Sequence, residues 1–199
     1  GISDAARQAG VTVRLLAEMD AGLRRCGVQS PADLVALAQH MIRLPHVEFL
    51  GFLFFPGQVR LPPNEQAPVL AQIDARLHEA QEKLYRSGIQ VRVVSGGSTP
   101  TAYQSHLMKT VTEIRPGTYV FNDMNTVTIG ASDLSRCAVT VRVTVVSVAV
   151  KGRAVIDGGS KTFSSDLLRG GEGQGFGLCA EHPGIILESM SEEHGHLNV

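Results

Sequence analysis

The chain has little cysteine, and this scarcity excludes two kinds of stabilisation. Its 199 residues contain three cysteines, Cys26, Cys137 and Cys179, which lie far apart in the sequence. Because disulfide-stabilised domains carry an even set of cysteines, a disulfide framework is not expected, and a reducing, cytoplasmic compartment is predicted. No two cysteines have Cys-x-x-Cys spacing, so a structural zinc ribbon is excluded as well.

The chain also lacks a charge excess and a long apolar run. Its 18 basic residues are balanced by 19 acidic ones and are not clustered, so no nucleic-acid surface is expected. No uninterrupted apolar run reaches about 18 residues, which argues against a membrane span. Residues 1–4 contain neither a basic region nor a long apolar stretch, so no signal peptide is predicted. Neither a nucleic acid nor a membrane is therefore expected as a partner.

The first 121 residues alternate between strand and helix patterns. Ser30 before Pro31 is typical of a helix start, and an apolar stripe from Val69 to Leu84 predicts a second helix that ends near Gly88. Short apolar runs predict four strands, at residues 11–19, 47–55, 89–94 and in or near 118–121. Strands separated by helices of this length predict a parallel sheet or a (β/α) barrel.

The pattern changes after Cys137. Threonine, arginine and serine alternate with valine, glycines then become frequent, and no helical period is present. This pattern predicts antiparallel β-structure with turns. The segments concerned are residues 138–150, 154–157, 170–177 and 185–187. A second, mainly antiparallel β domain is therefore predicted over residues 133–199, after an α/β domain over residues 1–132.

Two glycine- and hydroxyl-rich turns follow strand-like runs. They read VSGGSTP at residues 94–100 and RPGTY at residues 115–119. Such turns leave backbone N–H groups without partners and place hydroxyls beside them, which suits an anion such as phosphate. Two in succession, with Arg115 beside them, predict one phosphate held by two neighbouring loops. A phosphorylated cofactor follows from this.

A third motif follows the first predicted strand. It has the form D-x-G-x-x-R-x-G, with Asp20, Gly22, Arg25 and Gly27 at its defined positions. Taken alone, the motif fits equally well a loop shaped by its glycines, in which Arg25 pairs with Asp20.

Together, this motif and the RPG string at 115–117 resemble the fold-type III pyridoxal phosphate (PLP) enzymes, the alanine racemase-like barrels. Four further strings occur in order: SGGSTP at 95–100, YVFND at 119–123, VIDGGSK at 155–161 and SEEHG at 191–195. They look like the D-threonine aldolase and D-serine dehydratase branch. The resemblance covers nearly the whole chain. It implies a partial, PLP-binding (β/α)8 TIM-type barrel over residues 1–132, followed by a partial β domain.

The resemblance also implies roles around the cofactor. Arg115 resembles the arginine that faces the pyridine nitrogen, and a guanidinium keeps that nitrogen unprotonated because it does not readily release a proton. The backbone N–H groups of Gly117 and Thr118 resemble the phosphate cradle. Three further residues complete the implied cofactor-binding set: Ser98, Thr99 and Tyr119.

Two more residues are implied in catalysis. Arg25 resembles the arginine near the phenolic oxygen of the cofactor or the substrate carboxylate. His194 is expected to line the site as a polar group, although His194 and His196 form an H-x-H pair that could chelate a metal on one strand face. Phe55 departs from the family, which commonly has tyrosine there, and packing is the expected role of the Phe54–Phe55 pair.

The resemblance places two functional elements outside the chain. The lysine that bonds to PLP is expected before Gly1, and the ligands of a divalent metal, zinc or manganese, beyond Val199. No metal ligand is therefore assigned within the chain. Lys161 is expected either to approach the site, across a dimer interface, or to pair with Asp157 or Asp166.

The implied activity is that of a PLP-dependent lyase for D-3-hydroxy amino acids. Aldol cleavage of D-threonine-type substrates to glycine and an aldehyde is the leading prediction. The alternatives are dehydration of D-serine, a non-catalytic PLP-binding barrel and an amino-acid racemase. The full-length protein is expected to be a homodimer, and the fragment alone to be inactive.

Overall fold

The computed structural model describes residues 1–168 and 175–199. They form two compact units, Gly1–Tyr119 and Val120–Val199, which are described separately. The domain boundary predicted between residues 132 and 133 lies within the second unit and stays a prediction. Part of the predicted glycine-rich stretch, residues 170–173, lies outside the described residues. None of the helices described is long and apolar enough to cross a membrane.

The first unit alternates helices and strands. Its elements are helix α1 (Ile2–Gln8), strand β1 (Val13–Glu18), helix α2 (Pro31–Ile42), strand β2 (Val47–Leu53), helix α3 (Ala67–Arg86), strand β3 (Val93–Gly96) and strand β4 (Glu113–Ile114). Short 3-10 helices occupy Pro63–Glu65, Ala102–Leu107 and Thr118–Val120.

The strands of the first unit form one sheet in the order β1-β2-β3-β4, and every neighbouring pair is parallel. Helices α2 and α3 supply the crossovers that parallel neighbours require. Parallel strands have their carboxyl ends at one edge of the sheet, and the loops that leave this edge lie next to one another. The predicted parallel α/β architecture is confirmed.

Local signals explain the two long helices. The Ser30 hydroxyl accepts the Asp33 N–H at 3.1 Å, and Pro31 occupies the first helical position, as predicted. Helix α2 buries Leu34, Ala38 and Met41. Helix α3 buries one apolar stripe against the same core, made of Leu70, Ile73, Leu77, Ala80 and Leu84.

The fourth predicted strand was wrong. Residues 118–121 do not pair with the sheet, and Thr118–Val120 form a 3-10 helix instead. The fourth strand is β4, in which Glu113 pairs with Ser95 and Ile114 with Gly96. Pro116 has no N–H to donate to a ladder, so the strand cannot continue towards residue 118.

The described residues of the second unit include one short α-helix, a 3-10 helix at Leu134–Arg136 and an antiparallel sheet. Its elements are helix α4 (Met124–Thr128) and strands β5 (Val145–Ser147), β6 (Arg153–Ile156), β7 (Gly177–Leu178), β8 (Ile186–Met190) and β9 (Gly195–Asn198). The strand order is β5-β6-β9-β8-β7, and all neighbours are antiparallel. The predicted antiparallel β-structure is confirmed. Of residues 138–150, however, only Val145–Ser147 form a strand.

Candidate functional site

The two predicted anion loops are neighbours in the structure. The first leaves the carboxyl end of β3, and the second leaves the carboxyl end of β4. The Arg115 N–H donates to the Gly96 carbonyl at 3.1 Å, and the Tyr119 N–H donates to the Thr99 hydroxyl at 3.1 Å. Two hydrogen bonds therefore tie the loops together at the edge where parallel strands end.

Internal hydrogen bonds hold the first loop in shape. The Ser98 N–H donates to the hydroxyl of the buried Thr101 at 3.1 Å, and the Ser98 hydroxyl lies 3.1 Å from that same oxygen. The Thr99 oxygen accepts from Tyr119 and keeps its own proton free to donate. The loop is therefore preorganised, and the Ser98 hydroxyl is already engaged within it.

The backbone N–H groups of these loops are the donors still available. Within these two loops, which the structure describes in full, four amides have no acceptor among the described residues: those of Gly97, Thr99, Gly117 and Thr118. Nothing lies within 4 Å of the position that a Cβ of Gly117 would take, so this loop is open on that side. Unpaired amides on two neighbouring loops suit an anion, and the residues present fit the phosphate of PLP.

Gln66 supports the first loop from behind, a role that the sequence did not reveal. Its side chain is fully buried, and Nε2 donates to the carbonyls of Leu61 and Pro100 at 2.8 and 2.9 Å. Within the described residues its Oε1 has no hydrogen-bond partner. Gln66 links the loop before α3 to the anion loop. It gave no sequence signal because a lone glutamine before a helix is common.

Arg115 is anchored at two of its nitrogens. Nε donates to the Ser95 hydroxyl at 2.9 Å, and Nη2 donates to the Phe54 carbonyl at 3.0 Å. The Ser95 hydroxyl in turn donates to the carboxylate of Glu113. Neither Ser95 nor Glu113 was assigned a role from the sequence. Glu113 and Arg115 are two residues apart, the spacing that places side chains on one face of a strand, and this signal was present.

The D-x-G-x-x-R-x-G motif forms a closed loop around Asp20. The buried Asp20 carboxylate accepts the N–H groups of Gly22 and Arg24 at 3.1 and 3.0 Å. The alternative in which Arg25 pairs with Asp20 is not found among the described ion pairs. Gly27 has φ +94°, and a Cβ there would lie 2.9 Å from the Asp20 nitrogen, so no other residue fits without strain.

Arg25 stacks on Phe55 instead. Its guanidinium carbon lies 4.9 Å from the centre of the Phe55 ring, within cation–π range. The packing role expected for the phenylalanine pair holds for Phe54, which is fully buried against Gly96, but Phe55 is only half-buried. The stack lies in a shallow cleft lined by Glu18, Met19, Asp20, Leu23, Arg25, Cys26 and Phe55.

Of the two histidine candidates in the second unit, His194 lies just before strand β9 and His196 lies within it. The His194 N–H donates to the Ser191 hydroxyl at 3.2 Å. The ring of His196 lies 3.0 Å from the Ser189 hydroxyl. Within residues 1–168 and 175–199, no group of three or more His, Cys, Asp or Glu residues could hold a metal ion. The catalytic role of His194 stays a prediction.

Lys161 forms an ion pair, but not with the expected partners. Its ammonium group lies 3.1 Å from Glu192 and 2.7 Å from Glu193, rather than against Asp157 or Asp166. The hydrogen bonds that the Lys161 ammonium group donates to the Glu193 and Glu192 carboxylates raise its pKa. Asp157 instead accepts the Thr144 N–H at 2.7 Å, which lowers its pKa.

The fold and the site together define a class: a parallel α/β protein with two neighbouring glycine-rich loops at the carboxyl ends of its strands, followed by an antiparallel β unit. Residues 1–124 match the family model for the alanine racemase N-terminal domain. The chain therefore belongs to the alanine racemase N-terminal domain family and is a member of the fold-type III PLP enzymes. Residues 138–199 match the model for a putative serine dehydratase domain.

Curated relatives share a substrate type in their names. A D-threonine aldolase of Arthrobacter sp. is 32% identical over 100% of this chain and 52% of its own length. A D-threo-3-hydroxyaspartate dehydratase of Delftia sp. is 33% identical over 96% of this chain and 53% of its own length. Each name denotes a D-amino acid with a hydroxyl on Cβ. The chain spans about half the length of the curated relatives it matches.

Solved structures with similar names share the fold of this chain. The Delftia dehydratase superposes with a TM-score of 0.83 at 30% identity, over 99% of this chain and 55% of that one. A cysteine-to-alanine variant of it, in the metal-free form, gives a TM-score of 0.81. D-threonine aldolase from Filomicrobium marinum, at 24% identity, shares the fold with a TM-score of 0.78 over 100% of this chain and 52% of that one.

Proposed function

We propose that this chain is part of a PLP-dependent lyase that acts on D-3-hydroxy amino acids. The leading activity is aldol cleavage of D-threonine-type substrates to glycine and an aldehyde. The observation that carries the proposal is the pair of loops whose free amides adjoin the anchored Arg115. The names of the relatives supply the substrate class.

The anion loops are proposed to hold the phosphate of PLP. The amides of Gly97, Thr99, Gly117 and Thr118 would donate to it, and the proton of the Thr99 hydroxyl is also available. Tyr119 contributes through its N–H, which fixes Thr99 rather than contacting the anion. Ser98 contributes by shaping the loop, because its hydroxyl is engaged with Thr101.

Arg115 is proposed to face the pyridine nitrogen. Bound PLP would supply an electron sink for the bond that breaks at the substrate Cα. A guanidinium stays protonated and therefore donates to that nitrogen without transferring a proton to it. Its Nε and Nη2 anchors hold the group in place before the ligand arrives, which lowers the entropy cost of binding.

Arg25 is proposed to bind the substrate carboxylate. Stacking on Phe55 engages the face of the guanidinium and leaves its N–H edge available. That edge matches the geometry of a carboxylate, which an arginine can hold with two parallel hydrogen bonds. Because Asp20 is occupied by backbone N–H groups, it does not compete for Arg25.

Dehydration is the second candidate activity. It is favoured by the match of residues 138–199 to a putative serine dehydratase domain and by the similarity to the Delftia dehydratase. The two reactions differ in the bond that breaks at Cα. Aldol cleavage breaks Cα–Cβ, whereas dehydration removes the Cα proton and expels the Cβ hydroxyl. The same domain match supports a lyase over a racemase or a non-catalytic barrel.

The proposal includes a divalent metal, zinc or manganese, with ligands beyond Val199. The metal-free form recorded for a variant of the Delftia dehydratase supports this part. A homodimer and a cytoplasmic location also belong to the proposal.

The test uses the complete gene product. We expect a visible absorption band from bound PLP, and release of glycine and an aldehyde from D-threonine. Ammonia release from D-serine or D-3-hydroxyaspartate in place of glycine would select dehydration. Assays with and without a chelator report on the metal. A protein that binds no PLP would overturn the proposal.

A further inference from the structure

The anchor of Arg115 depends on a buried hydroxyl. Ser95 is fully buried at the carboxyl-terminal end of β3, where it pairs in register with Glu113 of β4. Its oxygen lies 2.9 Å from Arg115 Nε, and its proton points to Glu113 Oε1. Three consecutive groups, a carboxylate, a hydroxyl and a guanidinium, therefore form one chain of hydrogen bonds.

The donor and acceptor in each of these hydrogen bonds follow from the number of protons that each group carries. A serine hydroxyl has one proton and two lone pairs, and a guanidinium only donates. Ser95 can accept from Arg115 Nε only with its lone pairs, so its proton must go elsewhere. The carboxylate of Glu113 accepts a hydrogen bond from the Ser95 hydroxyl, and this orients the lone pairs of Ser95 towards Arg115.

The two anchors leave one end of the guanidinium free. Nε is held by Ser95 and Nη2 by the Phe54 carbonyl, whereas Nη1 has no acceptor among the described residues. Because the guanidinium is planar, two fixed nitrogens determine where the third points. The direction of the free N–H groups of Arg115 is thus decided by Ser95 and Phe54, which belong to other segments of the chain.

We propose that Ser95 and Glu113 are positioning residues that aim Arg115. Ser95 supplies the lone pair that holds Nε, and Glu113 orients the Ser95 hydroxyl. This inference rests on the proposed function only for what Arg115 faces, the pyridine nitrogen of PLP. The anchor itself is a property of the chain without a cofactor.

The role of Glu113 is orientation rather than charge. Its side chain is exposed at the strand end, so water and salt screen its charge. A glutamine also presents an oxygen that can accept the Ser95 proton. The exchange Glu113→Gln therefore keeps the hydrogen-bond chain, whereas Glu113→Ala breaks it and frees the Ser95 hydroxyl to rotate.

The experiment compares Ser95→Ala, Glu113→Ala and Glu113→Gln in the complete gene product. Glu48→Ala is the matched control, since Glu48 is a strand glutamate of intermediate exposure that also pairs with an arginine, Arg92. The first readout is the NMR signal of the Arg115 Nε–H. We expect it to be protected from solvent exchange in the wild type, Glu113→Gln and Glu48→Ala, and to lose protection in the other two variants.

The second readout is the affinity for PLP, together with the absorption band of the bound cofactor. We expect Ser95→Ala and Glu113→Ala to weaken PLP binding about threefold to tenfold, the scale of one hydrogen bond to a charged group that is only partly replaced by water. The pH dependence of the absorption band should change in the same two variants and in neither of the others. Equal behaviour of Glu113→Gln and Glu113→Ala, or unchanged Nε–H protection in Ser95→Ala, would overturn the inference.

The two readouts separate this inference from the proposed function. If the wild type binds no PLP while Arg115 Nε–H still loses protection in Ser95→Ala, the proposed function fails and the anchor stands. If PLP binds normally to every variant, the proposed function stands and the positioning role fails.

Discussion

The two units of this chain build their sheets in opposite ways. In the first unit, helices α2 and α3 cover a parallel sheet, and large side chains such as Phe52, Leu70 and Leu77 are fully buried. In the second unit the strands have two to five residues, and few large apolar side chains are buried. Val148, beside the edge strand β5, is 71% exposed. Stability and the preorganised loops belong to the first unit.

Removing a core side chain should show this difference most strongly. We expect Leu77→Ala to lower the free energy of unfolding of the first unit by about 2–5 kcal/mol, because the cavity adds to the lost burial. Val148→Ala in the second unit should stay within about 0.5 kcal/mol. Urea unfolding followed by circular dichroism measures both. If both variants lost a similar free energy of unfolding, the difference in burial between the two units would not translate into a difference in stability.

Two glycines allow the cost of a steric clash between a Cβ and the backbone to be separated from the cost of a positive φ. Gly27 in the first unit and Gly130 in the second both have positive φ, at +94° and +72°, but only at Gly27 would a Cβ meet backbone atoms. We expect Gly27→Ala to cost about 2–3 kcal/mol and Gly130→Ala about 1 kcal/mol in free energy of unfolding. Thermal unfolding of both variants is the measurement. Equal costs would mean that the loop around Asp20 relaxes and is not held as the structure indicates.

The stack beneath Arg25 should have a smaller effect, visible mainly in substrate binding. Phe55→Leu removes the ring, and a cation–π contact at an exposed site is worth about 0.5–1 kcal/mol, or roughly a twofold to fivefold rise in KM. Phe55→Tyr keeps the ring and should behave as the wild type. Steady-state kinetics with D-threonine, with PLP affinity measured in parallel, provides the check. An equal KM in Phe55→Leu would remove Arg25 from the carboxylate site.

The smallest expected effect is a loss of stabilisation at low pH around Asp157 in the second unit. The Thr144 N–H lowers the pKa of Asp157, so the folded state prefers the carboxylate. This stabilisation is present above the unfolded pKa of about 3.9 and is lost as the pH falls through the lower folded value. Asp157→Asn also offers an acceptor oxygen but does not titrate.

Amide exchange at Thr144 measures that response. We expect the exchange rate of the wild type, relative to Asp157→Asn, to rise as the pH falls from about 5 to about 2. An unchanged ratio over this interval would show that the Asp157–Thr144 contact does not depend on the charge.

Prediction from the sequence succeeded where the signal is local. Helix α2 begins at its Ser30 cap and Pro31, and helix α3 follows a repeating apolar stripe, so both could be located within a few residues. It failed for the fourth strand, because pairing with β3 is decided by residues far away in sequence. The two loops were found from their glycines and hydroxyls and were expected to be neighbours, whereas the hydrogen bond from Tyr119 to Thr99 was not predicted.

In the candidate site, too, some residues have a local sequence signal and others have none. Arg25 and Arg115 stand out in sequence because glycine-rich motifs surround them. Their supports do not, since both come from other segments: Phe55 lies outside the motifs, and Ser95 opens the SGGSTP string without any sign that it pairs with Arg115. The sequence also left open a pairing of Arg25 with Asp20, and the structure instead stacks Arg25 on the ring of Phe55, a contact that was not predicted.

By itself, the sequence of this protein determined the alternation of helices and strands, the loops that suit an anion and the family to which the chain belongs. These depend on periodicity, caps and short motifs, which act over a few residues. Only the tertiary structure decided which groups hold Arg115 and Arg25, and where the fourth strand lies. Those outcomes depend on strand pairing and burial, through which residues distant in sequence compete for the same hydrogen-bonding groups.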